Sequence, residues 1–162
     1  LSHRAQIVVG ASGELPKGNF NVTEIAQVEF CFAVSATHQL AEKDRVITSQ
    51  DIKQFPSIVV ADSATSALSR NTGLLDSSQV IRVSSMTAKI TAQKMGLGIG
   101  FLPKHMIENE LKDGELVIKP CEVPRQPEFI YLAWHKDLKG NTLQWFTQKL
   151  QAIDWSAVFS TD

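Results

Sequence analysis

The chain has 162 residues, enough for one domain or two small lobes with a real core. At 43% hydrophobic and 20% charged it has a globular composition, which excludes disordered, collagen-like and disulfide-scaffold classes. Sixteen basic residues against seventeen acidic ones give a net charge of −1, which argues against a basic nucleic-acid-binding face.

The chain opens on Leu1 rather than Met, and its first strand-like run, 6–10, has no earlier strand to pair with. It therefore reads as a piece of a longer protein, with no secretory signal pattern. A Gly-, Pro- and Asn-rich linker covers 13–21. Strand-like runs follow at 28–35 and 57–61, and between them Thr48-Ser-Gln-Asp51 has the form of a capping box opening a short helix that Pro56 ends. Residues 64–71 form a weak helical pattern closed by Gly73. A strand at 80–84 leads into a helix at 86–95, with Met86 and Ile90 one turn apart. The glycine at 96 stands where a helix end needs a left-handed residue.

Further strands are expected at 98–102, 115–119 and 128–134, and helices at 105–112 and 141–153. Leu143, Phe146, Leu150 and Ile153 form the apolar face of the last helix. A second irregular crossing, 120–127, carries three prolines. Strands alternating with helices predict an α/β fold, and runs such as Ile7-Val8-Val9 and Ile58-Val59-Val60 predict mainly parallel sheets buried on both faces. Two crossings predict two lobes. No apolar run approaches the roughly 20 residues that would span a bilayer.

Gly96-Leu-Gly98-Ile-Gly100 does not fit dinucleotide binding. That fingerprint needs strand, glycines, then helix, and here the order is helix, glycines, strand. Gly98 and Gly100 instead let backbones pack closely. His3, His38, His105 and His135 lack ligand spacing, so structural or surface roles and no metal are expected. Cys31 and Cys121 read as reduced thiols, with a bridge between them left open. Trp134, Trp145 and Trp155 read as core and closing-helix packing. Small polar clusters follow three strands: Ser12-Gly13, Asp62-Ser63 and Ser84-Ser85, the last with Thr87 in the next turn. They are either helix caps or, gathered at one crevice, a site for a polar small molecule.

The segment Gly96-Leu-Gly-Ile-Gly-Phe-Leu-Pro103, with Asp113-Gly-Glu-Leu-Val117 after the next helix, resembles the glycine-rich signature of LysR-type transcriptional regulators. Thr37-His38-Gln-Leu-Ala41 resembles that family's "HPLA" turn, with Gln39 where proline is usual. Val46–Ile58 resembles its next helix and strand, and Ala5–Gly10 its hinge strand without the usual Asp. The resemblance covers roughly residues 5–146.

It implies a periplasmic-binding-protein-like type II α/β module of two lobes, the first lobe incomplete. Residues 1–27 would be the end of the first lobe and hinge, 28–120 the second lobe, and 121–162 the return crossing and closing part of the first. A small, carboxylate-bearing effector would bind in the interlobe cleft. The contacts carried over are Ala11, Ser12 and Gly13 after the first strand, Ala61 and Asp62 after the second-lobe strand, and Ser84, Ser85 and Thr87 before the glycine-signature helix. The resemblance further implies no cofactor and no catalysis, no membrane association, and a cytoplasmic homodimer or homotetramer. Its DNA contacts would come from an N-terminal winged helix-turn-helix outside this chain. Segments 48–55 and 59–61 are candidates for the subunit contact. The alternatives are a transport solute-binding protein, or a small α/β enzyme using Asp62 and His135.

Overall fold

The computed structural model describes residues 6–11, 19–61, 79–137 and 140–159. In chain order its elements are β1 (Ile7–Ala11), β2 (Phe20–Val28), β3 (Phe30–Ser35), α1 (Ser49–Ile52), β4 (Ser57–Val60), β5 (Val80–Val83), α2 (Met86–Lys94) and β6 (Gly100–Pro103). A 3₁₀ turn (Lys104–Met106) then precedes α3 (Glu108–Lys112), β7 (Leu116–Ile118), β8 (Glu128–His135), α4 (Asn141–Ala152) and α5 (Trp155–Phe159). The chain divides into two units, Leu1–Glu29 with Pro127–Asp162, and Phe30–Gln126.

In the first unit β8 lies between β1 and β2, and both run antiparallel to it. Ile7 faces Trp134 and Phe20 faces His135. The register shifts between Glu24 and Ala26, a bulge-type irregularity that bends a strand locally. Strand β2 was not expected from the sequence, because Asn21, Thr23, Glu24 and Gln27 dilute its apolar positions. In α4 the inward stripe is Leu143, Thr147 and Leu150 rather than the expected face, since Phe146 and Ile153 stand 49% and 43% exposed. The hydroxyl of buried Thr147 donates to the Leu143 and Gln144 carbonyls within its own helix, so it needs no outside partner. Trp145 is 54% exposed, which corrects its reading as core; it meets Phe146 edge-on. Trp155 is half-buried, and its indole N–H donates to the Leu150 carbonyl at 2.6 Å.

In the second unit β3 runs between β6 and β7 and antiparallel to both. Strands β4 and β5 pair in parallel, and a parallel bridge from Ser57 to Ile99 joins β4 to the entry of β6. Thus β4, β5, β6 and β7 run one way and β3 alone runs the other. The expected common strand direction thus holds for four of the five strands, with β3 as the exception. Helix-containing connections do return the chain in one direction, but the reversed β3 is inserted between two of the returned strands. In the first unit the described ladders are antiparallel throughout.

The core of this unit lies on both faces of β3. Alternate side chains of a strand point to opposite faces. Accordingly Phe32 and Val34 pack with Leu40, Ile47, Ile52, Ile99 and Phe101, while Ala33 packs with Ile90, Leu102, Ile107 and Leu116. Each fully buried large side chain contributes about 1.5–3 kcal/mol. The capping box holds as expected: Thr48 Oγ1 accepts from the Asp51 N–H, and Asp51 Oδ2 accepts from the Thr48 N–H. The glycine reading holds as well. Gly96 has φ +71° at the end of α2. A Cβ on Gly98 would stand 2.5 Å from the Pro56 carbonyl oxygen, a distance only a glycine permits. Cys31 and Cys121 are free thiols, and burial pushes the Cys31 thiol up to about 11, so it is protonated and inert.

Candidate functional site

Parallel pairing aligns the carboxyl ends of β4 and β5, with Val60 opposite Val83. The pairing runs one step further, since the Ala61 N–H donates to the Val83 carbonyl at 2.8 Å. Ala61 and Ser84 therefore emerge side by side, and both are exposed. The chain then turns directly into α2. Such an edge is where open α/β sheets place ligands, because loops and helix starts gather free N–H groups there.

Ser84 and Ser85 differ in their work. Ser85 is the N-cap of α2, and its Oγ accepts from the Ala88 N–H at 3.1 Å. Its bond is thus committed to the helix, as the simple capping reading has it. The Ser84 hydroxyl meets no partner among the described residues. Thr87 is exposed in the first turn, and its carbonyl accepts from the Thr91 hydroxyl at 3.1 Å. Ala11 is exposed at the end of β1, in the other unit. Ser12, Gly13 and Asp62 lie outside the described residues, as does the expected helix at 64–71.

One helical turn into α2 lies a charged residue that the sequence reading passed over. Lys89 is only 3% exposed, and its ammonium meets no acceptor among the described residues. Burial pushes its pKa down to about 8, and the neighbouring positive charge of Arg125 adds to the effect. Gln93, four residues on and fully buried, donates from Nε2 to the Ala33 and Gly100 carbonyls at 3.1 Å each, while its Oε1 is buried without a partner. The signal in the sequence was spacing: Met86, Lys89, Ile90 and Gln93 share the i, i+3, i+4, i+7 face of one helix.

His38 and His135 have local partners. His38 Nδ1 accepts from the Leu40 N–H at 3.1 Å, and the ring packs edge-on against Phe55 at 4.6 Å. His135 lies 3.6 Å from the Asp137 carboxylate and edge-on to Phe20. Among the described residues no cluster of three or more His, Cys, Asp or Glu could hold a metal ion. No described helix is long and apolar enough to cross a membrane.

A family model described as the LysR substrate binding domain matches residues 1–153. The chain belongs to the LysR substrate-binding-domain family. It is 31% identical over 150 residues to the HTH-type transcriptional regulator YeeY of Escherichia coli, covering 92% of this chain and 48% of that protein. It is 32% identical over 163 residues to the HTH-type transcriptional activator AllS of Salmonella paratyphi A, covering 96% and 52%. The chain thus spans about half the length of the curated relatives it matches. Among solved structures, the regulatory domain of CcmR from Synechocystis, in complex with 2-PG, superposes with a TM-score of 0.70 at 16% identity, covering 98% of this chain and 75% of that one. This likeness shows the shared fold, of the periplasmic-binding-protein-like type II class.

Proposed function

We propose that the chain is the effector-sensing part of a LysR-type transcriptional regulator, binding a small molecule at the edge formed by Ala61, Ser84, Ser85 and Thr87. The observation that carries this reading is the exposed junction of β4, β5 and α2. It combines the Ser84 hydroxyl, which has no partner among the described residues, with the first-turn N–H groups and positive dipole end of α2. A polar or carboxylate group suits that junction. The family resemblance adds Ala11, Ser12, Gly13 and Asp62 as candidate contacts. In the whole protein an N-terminal winged helix-turn-helix would hold DNA, and effector binding would shift the population between two regulatory states. The protein would be a cytoplasmic homodimer or homotetramer and would catalyse nothing. Relatives named as regulators favour this over a transport solute-binding protein or an enzyme.

A thermal-shift screen of metabolites against the chain tests the reading. A ligand at about 100 times its Kd stabilises the native state by about 2.7 kcal/mol, a rise of several degrees. A hit that also changes operator binding by the full-length protein supports a sensor. If no metabolite alters either melting or operator binding, the reading fails.

A further inference from the structure

Taking a lysine head out of water is costly, and most buried ones are paired with a carboxylate. Lys89 is 3% exposed, and no carboxylate pairs with it among the described residues. Burial and the nearby positive charge of Arg125 both work against its ammonium and in favour of the free amine. A desolvated lysine beside another cation is one of the ways in which a protein makes an amine nucleophilic at neutral pH. With a pKa of about 8, roughly a tenth of Lys89 is free base at pH 7, against well under a thousandth of an ordinary lysine.

The surroundings suit a reaction at that nitrogen. A Cβ built on Gly100 would stand 3.1 Å from Lys89 Cε and 3.2 Å from Nζ, so glycine at 100 keeps clear the space beside the amine. The Ile58 carbonyl oxygen is 3.2 Å from the same point. Ile58 lies three residues before Ala61, about 10 Å along the strand. Lys89 follows the α2 cap by one turn, and its N–H donates to the Ser85 carbonyl at 3.0 Å. The amine thus belongs to the same helix start and strand end as the junction proposed above. One turn further, Gln93 anchors Nε2 on the Ala33 and Gly100 carbonyls at 3.1 Å each and leaves Oε1 buried with no donor. Lys89 itself does not satisfy that oxygen, so the donor that suits it is one carried by a ligand.

We propose that Lys89 forms a reversible Schiff base with a small aldehyde or ketone. The inference rests on the sensor reading above and adds to it the class of ligand. The lone pair of the free amine adds to the carbonyl carbon, and the carbonyl π pair moves to oxygen. One N–H proton then passes to that oxygen, giving a carbinolamine. Loss of the hydroxyl with the remaining N–H proton expels water and leaves a C=N bond, and the addition of water reverses each step. No oxidant or reductant is needed. The carbinolamine hydroxyl stands beyond the amine nitrogen and supplies the donor that Gln93 Oε1 lacks.

The test uses the full chain with propanal, and with 1-propanol as the same skeleton without the carbonyl. Each is incubated with the protein at pH 7, borohydride is added to reduce any C=N bond, and peptide mass mapping gives the extent of alkylation at each lysine. Propanal is expected to label Lys89 at least about tenfold faster than exposed Lys112 and to raise the melting temperature. 1-Propanol is expected to do neither. Lys89→Arg keeps the charge but forms no Schiff base; it is expected to keep its circular dichroism and lose the melting response. The labelling ratio in wild type needs no variant and decides the matter if Lys89→Arg does not fold. Lys89 labelled no faster than Lys112 overturns the proposal, as does a melting response to propanal that Lys89→Arg retains. If Lys89 is not preferred while a metabolite without a carbonyl stabilises the chain and alters operator binding, the ligand class is wrong and the sensor reading stands. If Lys89 is preferred but propanal leaves operator binding by the full-length protein unchanged, the covalent site stands without the sensor reading.

Discussion

Arg45 and Asp51 meet at two points, Nη1 to Oδ2 at 2.7 Å and Nη2 to Oδ1 at 2.9 Å. The same carboxylate accepts from Lys43 and from the backbone N–H and hydroxyl of Thr48, although Asp51 itself is buried. One side chain thereby caps α1 and ties it to the preceding loop. These bonds, with Arg45 contributing most, then Lys43, then the Thr48 backbone, hold the Asp51 carboxyl well below the usual carboxylate range. A carboxylate with a depressed folded pKa contributes stability that is present above the unfolded value, about 4, and is lost as pH falls below it. Asp51→Asn is expected to cost about 1–3 kcal/mol at pH 7 and to flatten the loss of stability below pH 4. Urea denaturation at a series of pH values measures both.

Gly98 tests the close approach of the glycine segment to β4. An alanine there would set its Cβ 2.5 Å from the Pro56 oxygen and 3.0 Å from Ile58 Cγ1. The nearest obstacle is backbone, which cannot rotate away. Gly98→Ala is expected to destabilise the chain by about 1–3 kcal/mol or more, as overpacked interiors do. An equilibrium melt checks it. Gly114→Ala, where a Cβ meets open space but φ is +70°, is expected to cost about 1–2 kcal/mol from backbone strain alone.

Adjacent serines should separate stability from binding. Ser85→Ala removes the cap of α2 and is expected to cost about 1 kcal/mol. Ser84→Ala removes a hydroxyl with no described partner and is expected to leave the urea midpoint unchanged. Equal losses in both variants would contradict the assignment of the cap to Ser85.

Lys89 gives a pH signature of the opposite sign from Asp51. Its folded pKa, about 8, lies below the unfolded value of about 10.4. The unfolded chain then holds more protons between those values, so stability rises with pH across that window. Below pH 8 the full cost of the buried charge is present. Lys89→Met is expected to be more stable than wild type at pH 7, by on the order of 1–3 kcal/mol, with the gap closing toward pH 10. Denaturation of both proteins at pH 7, 8.5 and 10 measures the gap.

Local chemistry made much of this fold legible before any coordinates. Thr48 and Asp51 state a capping box by identity and spacing, and Gly96, Gly98 and Gly100 follow a helix in an order that only a C-cap and close packing explain. Strand direction was harder to read. Alternation of strands and helices dictates that β4 to β7 share a direction, but nothing local says that β3 inserts between β6 and β7 reversed. Burial of Lys89 is a tertiary fact, since a lysine in a nine-residue helix that also carries Lys94 reads as solvated. The exposure of Trp145 is tertiary as well. Which of Ser84 and Ser85 is the cap depends on a single φ/ψ boundary at the start of α2, finer than sequence pattern resolves.

The central claim is that the junction of β4, β5 and α2 receives a small-molecule effector. Titration calorimetry of the thermal-shift hit into wild type and Ser84→Ala tests it most directly. The expected result is one site in wild type and a threefold to tenfold weaker one, on the order of 1 kcal/mol, in a variant of unchanged melting temperature. Equal affinity in the two proteins would contradict it.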